Sequence, residues 1–221
     1  MNLSGEAKAI IGIGLVTVII LVAGVFFVSK SDLSTNNSNE TTQKVDSKLL
    51  IKDDNYKTGT TSAKVTVVEF LDFECEACGA AHPVVKQILE EYGDKIQFVV
   101  RNFPNHKNSL LAANAAEAAG EQGKFWEMHD KLFENQKDWG EKQTPQTELF
   151  LKYAKELELD TEKIKSAMES NKFTEKINKD KQEGISLGVD ATPTFFINGV
   201  KEVGILSYDQ FKQKIDTELN N

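Results

Sequence analysis

Two cysteines three residues apart, Cys75 and Cys78, stand where a β-branched and aromatic run gives way to a helical repeat. Lys64-Val-Thr-Val-Val-Glu-Phe-Leu-Asp-Phe73 has the composition of a buried strand. Beyond the cysteines, Val84, Val85, Ile88 and Leu89 recur at helical spacing as far as Tyr92, and Gly93 is placed to stop the helix. Ile96 to Val100 is a second buried strand. A strand, a helix and a strand joined by short links form a βαβ unit, so the chain is committed to an α/β sheet with the cysteine pair at the entry to its first long helix.

That placement gives the cysteines different chemistry. Cys75 falls at the helix N-terminus, where unpaired N–H groups and the helix dipole favour a thiolate. Cys78 lies one turn inside the same helix, within reach of Cys75. The pair fits an attacking and a resolving thiol in disulfide exchange. Two other readings stay open: a metal half-site, or two small buried residues. A tetrahedral zinc site needs four ligands. The chain has no second cysteine pair, and His82 is a third ligand without a fourth, so no metal is assigned. With only two cysteines the protein is not a disulfide-stapled scaffold.

Residues 107–183 read as helical throughout, with Asp160 capping one of the helices. Strand character resumes at Thr194-Phe-Phe-Ile-Asn-Gly199, where Asn198-Gly199 signals a tight hairpin returning through Val200 to Val203. Pro193 opens this strand, a position where a sheet tolerates proline. Ser207 caps a last helix that carries Phe211, Ile215 and Leu219 on one face.

The N-terminal part is of another kind. Ala9 to Val28 is a run of 20 residues without charge. As a helix it is about 30 Å long, enough to cross a bilayer core. The expected organisation is a cytoplasmic tail (1–8), a transmembrane anchor (9–28), a flexible linker rich in Ser, Thr and Asn (29–46) and a folded domain (47–221). A cleaved signal peptide is the alternative to the anchor. The formal charge of −8 and the single arginine, Arg101, argue against nucleic acid as a partner.

Four segments, taken in order, resemble the DsbA-like thiol-disulfide oxidoreductases of the thioredoxin superfamily. They are Cys75-Glu-Ala-Cys78 after its strand, Arg101-Asn-Phe-Pro104, Gly123-Lys-Phe-Trp-Glu-Met-His129 and Thr192-Pro-Thr-Phe-Phe-Ile-Asn-Gly199. The resemblance covers about residues 47–221. It implies a thioredoxin fold with an inserted helical domain at about 107–183, here behind a single N-terminal transmembrane helix. It also implies a cis bond at Thr192–Pro193 facing the cysteines, with Thr192 presenting backbone groups to a substrate. Glu69, six residues before Cys75, matches a buried acid that moves protons for the resolving thiol. The dipeptide Glu76-Ala77 completes the expected substrate-contacting set. Here the chain departs from the strong oxidants of the class, which carry proline and histidine between the cysteines. A carboxylate at Glu76 should oppose the Cys75 thiolate by like charge. Pro83, His82, His106 and His129 are expected in structural roles, and Phe125, Trp126 and Met128 in the core of the insert.

The implied activity is thiol-disulfide exchange without a cofactor on the extracytoplasmic side, oxidising cysteine pairs of exported proteins. Its partners would be those proteins and a membrane redox protein that recycles the disulfide. A reductase or isomerase, and a non-catalytic thioredoxin-fold binding or metal-carrier module, are the alternatives.

Overall fold

Strand β2 (Val65–Leu71) runs parallel to β3 (Ile96–Asn102), with Val65 opposite Ile96 and Leu71 opposite Asn102. The computed structural model describes residues 44–221. Strand β1 (Tyr56–Gly59) adds antiparallel to the outer side of β3, β4 (Thr194–Ile197) antiparallel to β2, and β5 (Val200–Val203) antiparallel to β4. The order across the sheet is β1-β3-β2-β4-β5. The two central strands are buried almost throughout, so both faces of the sheet are covered.

Alternation along β2 divides its side chains between two cores. Val65, Val67 and Leu71 join the larger core with Ile96, Phe98, Val100 and Cys78. Val68 and Phe70 face the other way, against Leu50, Val99, Phe103 and Phe196. Glu69 shares the parity of Val67 and Leu71 and thus the face on which Cys78 packs.

Helix α1 (Ser47–Leu50) precedes β1, and α2 (Glu76–Tyr92) lies between β2 and β3 with Pro83 inside it. Between β3 and β4 come α3 (Ser109–Gly120), α4 (Phe125–Glu134), the short α5 (Gln136–Trp139), α6 (Thr147–Glu156), α7 (Thr161–Glu169) and α8 (Thr174–Ser186). Alanines 112, 113, 115, 116, 118 and 119 of α3 are all buried, and their small side chains let neighbouring helices approach closely. Asp160 caps α7 through the N–H groups of Glu162 and Lys163. Ser207 and Gln210 form a capping box at the start of α9 (Tyr208–Asn220).

Strand β1 and helix α1 carry no pattern in the sequence. Tyr-Lys-Thr-Gly has one apolar side chain and sits at the sheet edge, and a four-residue helix is too short to show a period. The chain is docked already at Lys44–Asp46, at the end of the expected linker. Val45 donates its N–H to the Gly199 carbonyl (2.9 Å), Lys44 pairs with Glu218 (3.0 Å) and Asp46 caps α1. Gly199 sits in the β4–β5 hairpin at φ +84°, and a Cβ there would lie 2.2 Å from the Val45 carbonyl oxygen, so only glycine serves both the turn and the docking. The expected tail, anchor and first part of the linker (1–43) lie outside the described residues. No helix among the described residues is long and apolar enough to cross a membrane.

One buried ion network fastens the insert to the sheet. Arg101, with no exposed surface, donates from Nε to Asp180 Oδ1 (2.7 Å) and from Nη2 to Glu183 Oε2 (2.5 Å). Its Nη1 reaches the Leu49 and Leu50 carbonyls, each at 3.3 Å, so strand β3, α1 and α8 meet on a single guanidinium. Substituting Arg101→Met would leave the Asp180 carboxylate buried without its cation. Unfolding by urea should show a loss of about 3–5 kcal/mol, the usual cost of breaking a buried pair, and Asp180→Asn in the same chain should restore part of it.

Candidate active site

The link from β2 to α2 is Asp72-Phe73-Glu74, and its two carboxylates are turned inward. Asp72 Oδ1 accepts the Glu74 N–H (2.9 Å), and its Oδ2 accepts the Asn105 N–H (2.7 Å) and lies 2.7 Å from His106 Nδ1. Glu74 accepts the N–H groups of Asn108 (2.5 Å) and Glu141 (3.1 Å). Gln136 donates from one amide nitrogen to the carbonyls of Phe73 (2.8 Å) and Cys75 (2.9 Å). The approach to the first cysteine is therefore held from the loop after β3 and from the insert at the same time.

Cys75 is the N-cap of α2, half-buried and in extended conformation. As a thiol it donates to the Thr192 carbonyl at 3.4 Å, and the Thr192–Pro193 peptide bond beyond is cis, the isomer the resemblance implies. Its pKa is lowered to about 5, chiefly by the Cys78 thiol. Burial opposes this, while the Thr192 side chain and the N–H groups of Cys78 and Ala77 add to it. Cys78 is only 1 % exposed and its sulfur accepts the Asp72 N–H at 3.5 Å. Burial first, and then Cys75 and Glu69, push its pKa well above that of a free thiol. At neutral pH the helix thus presents an ionised outer sulfur and a protonated inner one. Glu69 is buried with no ion pair among the described residues, and burial raises its pKa to about 8.

Cys75, Cys78, Ala77, Thr192 and Pro193 are accordingly brought together, with Glu69 behind Cys78. Glu76 follows Cys75 as the first residue of α2. It is exposed, where solvent screens its charge, and the causes that lower the Cys75 pKa are hydrogen bonds from Cys78, Thr192 and the first-turn N–H groups. His106 lies in the loop after β3. It looks like a plain loop residue, yet it lines a cavity of about 310 Å³ with Cys75, Glu76 and Glu141. Burial disfavours its charged form, but the hydrogen bond and charge of Asp72, with Cys75 and Glu74 nearby, raise its pKa overall. No local motif marks His106, because its partner lies 34 residues earlier in the chain. His82 and His129 pack with Phe133, and Phe125 stacks on Tyr56 at 3.8 Å, in keeping with core positions.

A family model described as Thioredoxin matches residues 52–217. The chain belongs to the thioredoxin family. Within it, this protein is of the DsbA-like type. It is similar to Wolbachia pipientis alpha-DsbA1 (TM-score 0.72, 25% identity, 79% of this chain and 95% of that one). It is similar also to oxidised BdbD from Bacillus subtilis (TM-score 0.70, 29% identity, 80% and 97%). A thioredoxin-like oxidoreductase from Silicibacter pomeroyi gives a TM-score of 0.69 at 27% identity, covering 80% of this chain and 99% of that one. Among curated relatives, a Na(+)/H(+) antiporter NhaA from Salinispora tropica is 38% identical over 149 residues, and one from Salinispora arenicola 40%. The match covers 66% of this chain but only 22% of either antiporter.

The split between the two thiols of this thioredoxin-family protein is directly measurable. Thiolate absorbance of the reduced protein should titrate near pH 5 for Cys75, and iodoacetamide at neutral pH should modify Cys75 far faster than Cys78. His106→Gln removes a cation beside the thiolate and should raise the Cys75 midpoint by roughly half a unit at low salt, with the effect fading at high salt. An unchanged midpoint at low salt would exclude an electrostatic role for His106.

Proposed function

We propose that the protein is an extracytoplasmic thiol-disulfide oxidoreductase that introduces disulfides into exported proteins. The observation that carries this reading is the difference between its sulfurs: a stabilised Cys75 thiolate stabilises the reduced form, and a stable reduced form makes the disulfide a strong oxidant. Its similarity to alpha-DsbA1 and BdbD supports the same reading.

The cycle uses only sulfur and one proton carrier. A substrate thiolate attacks Cys75 Sγ of the Cys75–Cys78 disulfide, a substrate–Cys75 bond forms, and Cys78 leaves as a thiolate. Glu69, protonated at neutral pH by its raised pKa, lies on the face of the sheet that Cys78 packs against and supplies the proton that a buried thiolate requires. A second substrate thiolate then attacks the substrate sulfur of the mixed disulfide. The substrate leaves oxidised by two electrons, and Cys75 leaves as the thiolate already favoured by its hydrogen bonds. Thr192, whose carbonyl sits 3.4 Å from Cys75, offers backbone groups to the substrate chain. A membrane redox protein then takes the two electrons. The uncharged run at 9–28 would hold the domain beside it as a single-pass anchor. The antiporter names belong to proteins more than four times as long as the segment matched here, and ion transport is not part of this reading.

The test is the equilibrium potential of the Cys75–Cys78 pair against glutathione. It should lie closer to the roughly −120 mV of DsbA than to the roughly −270 mV of thioredoxin, and a value at the thioredoxin end would make the protein a reductase. Stability must follow the same chemistry. A Cys75 pKa of about 5 in the folded dithiol against 9.0 for a free thiol adds stability that is fully present above pH 9.0 and is lost as pH falls through 5. The disulfide form has no such group. The stability of the dithiol form relative to the disulfide form should therefore rise between pH 5 and 9, as read from urea midpoints of both, and the reduced Cys75→Ser chain should follow the pH dependence of the disulfide form. In Cys78→Ser the Cys75 thiolate should attack disulfide-bonded substrates, displacing one substrate thiolate, and hold them as mixed disulfides, because no Cys78 thiol is left to expel the substrate.

A further inference from the structure

The helix that carries the cysteines bears a second set of chemically active side chains on the side facing the insert. His82 lies on α2, one turn beyond Cys78, while His129 and Asp130 lie on α4. One nitrogen from each imidazole and one oxygen of Asp130 lie within 4.8 Å of one another. We infer that His82, His129 and Asp130 form a binding site for a divalent transition-metal cation of the zinc class, which clasps α2 to α4.

Packing alone does not account for these groups. The two histidines are 5 % and 3 % exposed, and the Nε2 atom of each is buried with no hydrogen-bond partner. Buried ring nitrogens nearly always have a partner, and leaving one unpaired costs about 1–3 kcal/mol. Here two stand unpaired side by side, on rings 5.3 Å apart. Asp130 divides its carboxylate between two duties. Oδ2 pairs with Lys86 at 3.3 Å, whereas Oδ1 faces inward, 3.0 Å from His129 Nδ1 and 3.7 Å from His82 Nε2. A cavity of about 280 Å³, lined among others by Thr58, Trp126 and Glu90, opens onto the three and leaves room for a cation and its water.

The donor set selects the metal. Two imidazoles and one carboxylate with an open fourth position suit zinc and its neighbours, while calcium and magnesium prefer oxygen alone. Zinc–nitrogen bonds of about 2.0–2.1 Å put tetrahedral ligands about 3.4 Å apart, so the site closes by small side-chain rotations. Phe133 stacks on His82 and Trp126 meets His129 edge-on, which limits both rings to small adjustments. The Lys86 ammonium is the competing cation. Its side chain is 39 % exposed and also pairs with Glu134, so it can withdraw into solvent when a metal arrives. The sequence alone places His82 beside the cysteines as a ligand without company, because its partners come from a helix more than 40 residues further on.

The measurement is equilibrium dialysis of the full chain against zinc, with the Cys75–Cys78 pair held as a disulfide so that neither thiol can ligate. Cobalt serves as an optical probe of the same site. The expected result is one zinc per chain, binding at least tenfold weaker in each of His82→Gln, His129→Gln and Asp130→Asn, and a four-coordinate cobalt spectrum lost with it. Lys86→Met removes the competing charge from the surface without touching a ligand and should tighten zinc binding several-fold. No zinc uptake by the disulfide form, undiminished uptake in His82→Gln, or unchanged affinity in Lys86→Met would each overturn the site. Should a histidine variant fail to fold, the Lys86→Met comparison decides alone. Because metal uptake is read without turnover, the outcome is independent of the redox reading above.

Discussion

Two buried carboxylates on one three-residue link hold this molecule's chemistry in place. Asp72 and Glu74 accept hydrogen bonds from four backbone N–H groups, drawn from the link itself, the loop after β3 and the insert. Burying a carboxylate is unfavourable unless hydrogen bonds replace its lost water, and these bonds do so. The arrangement also has a geometric effect. It fixes where β2 ends and where α2 begins, and so fixes Cys75 at the exposed N-terminus and Cys78 one turn deeper against the sheet. Removing either carboxylate would strand N–H groups from segments that are far apart in sequence and meet only here.

Once the helix start is fixed, the two sulfurs differ for reasons that need no special residue. The outer one receives N–H groups from the first turn and faces Thr192, and the inner one is enclosed by apolar side chains. Alternation along β2 then brings Glu69 to the same enclosed side. A strand, a turn and the parity of one residue thus assemble an acidic thiol, a buried thiol and a buried carboxyl, the groups the proposed cycle needs, from within ten residues of chain. The remaining partner, Thr192, arrives from the other end of the domain because β4 pairs with β2 in a register that sets Thr194 opposite Phe70.

Most of this was legible in the sequence. The strand–cysteine–helix junction, the helical block, the Asn198-Gly199 hairpin and the capped last helix are local signals, and each element stands where its residues point. What stayed hidden has a common cause. Strand β1 is an edge strand made by pairing with β3, not by its own composition. The inward turn of Asp72 and Glu74 is invisible locally, since a loop carboxylate reads as solvated until its partners are known. His106 and the pairing of His82 with His129 depend on contacts across 34 and 47 residues.

The departure at Glu76-Ala77 acquires a different meaning in this setting. When a histidine stands between the cysteines, the helix start itself supplies the positive partner of the thiolate. Here the Ala77 N–H joins that of Cys78 at the thiolate, and the imidazole of His106 nearby comes from the loop after β3, oriented by Asp72. Control of the thiolate stays mostly on the helix, with Cys78 and the first-turn N–H groups, and Thr192 adds to it from across the site. A carboxylate at Glu76 is tolerated because it projects into water, where its repulsion is screened, while the groups that act on the sulfur are the partly buried ones. The acidity of Cys75 is set chiefly by Cys78, which is buried one turn deeper in the same helix.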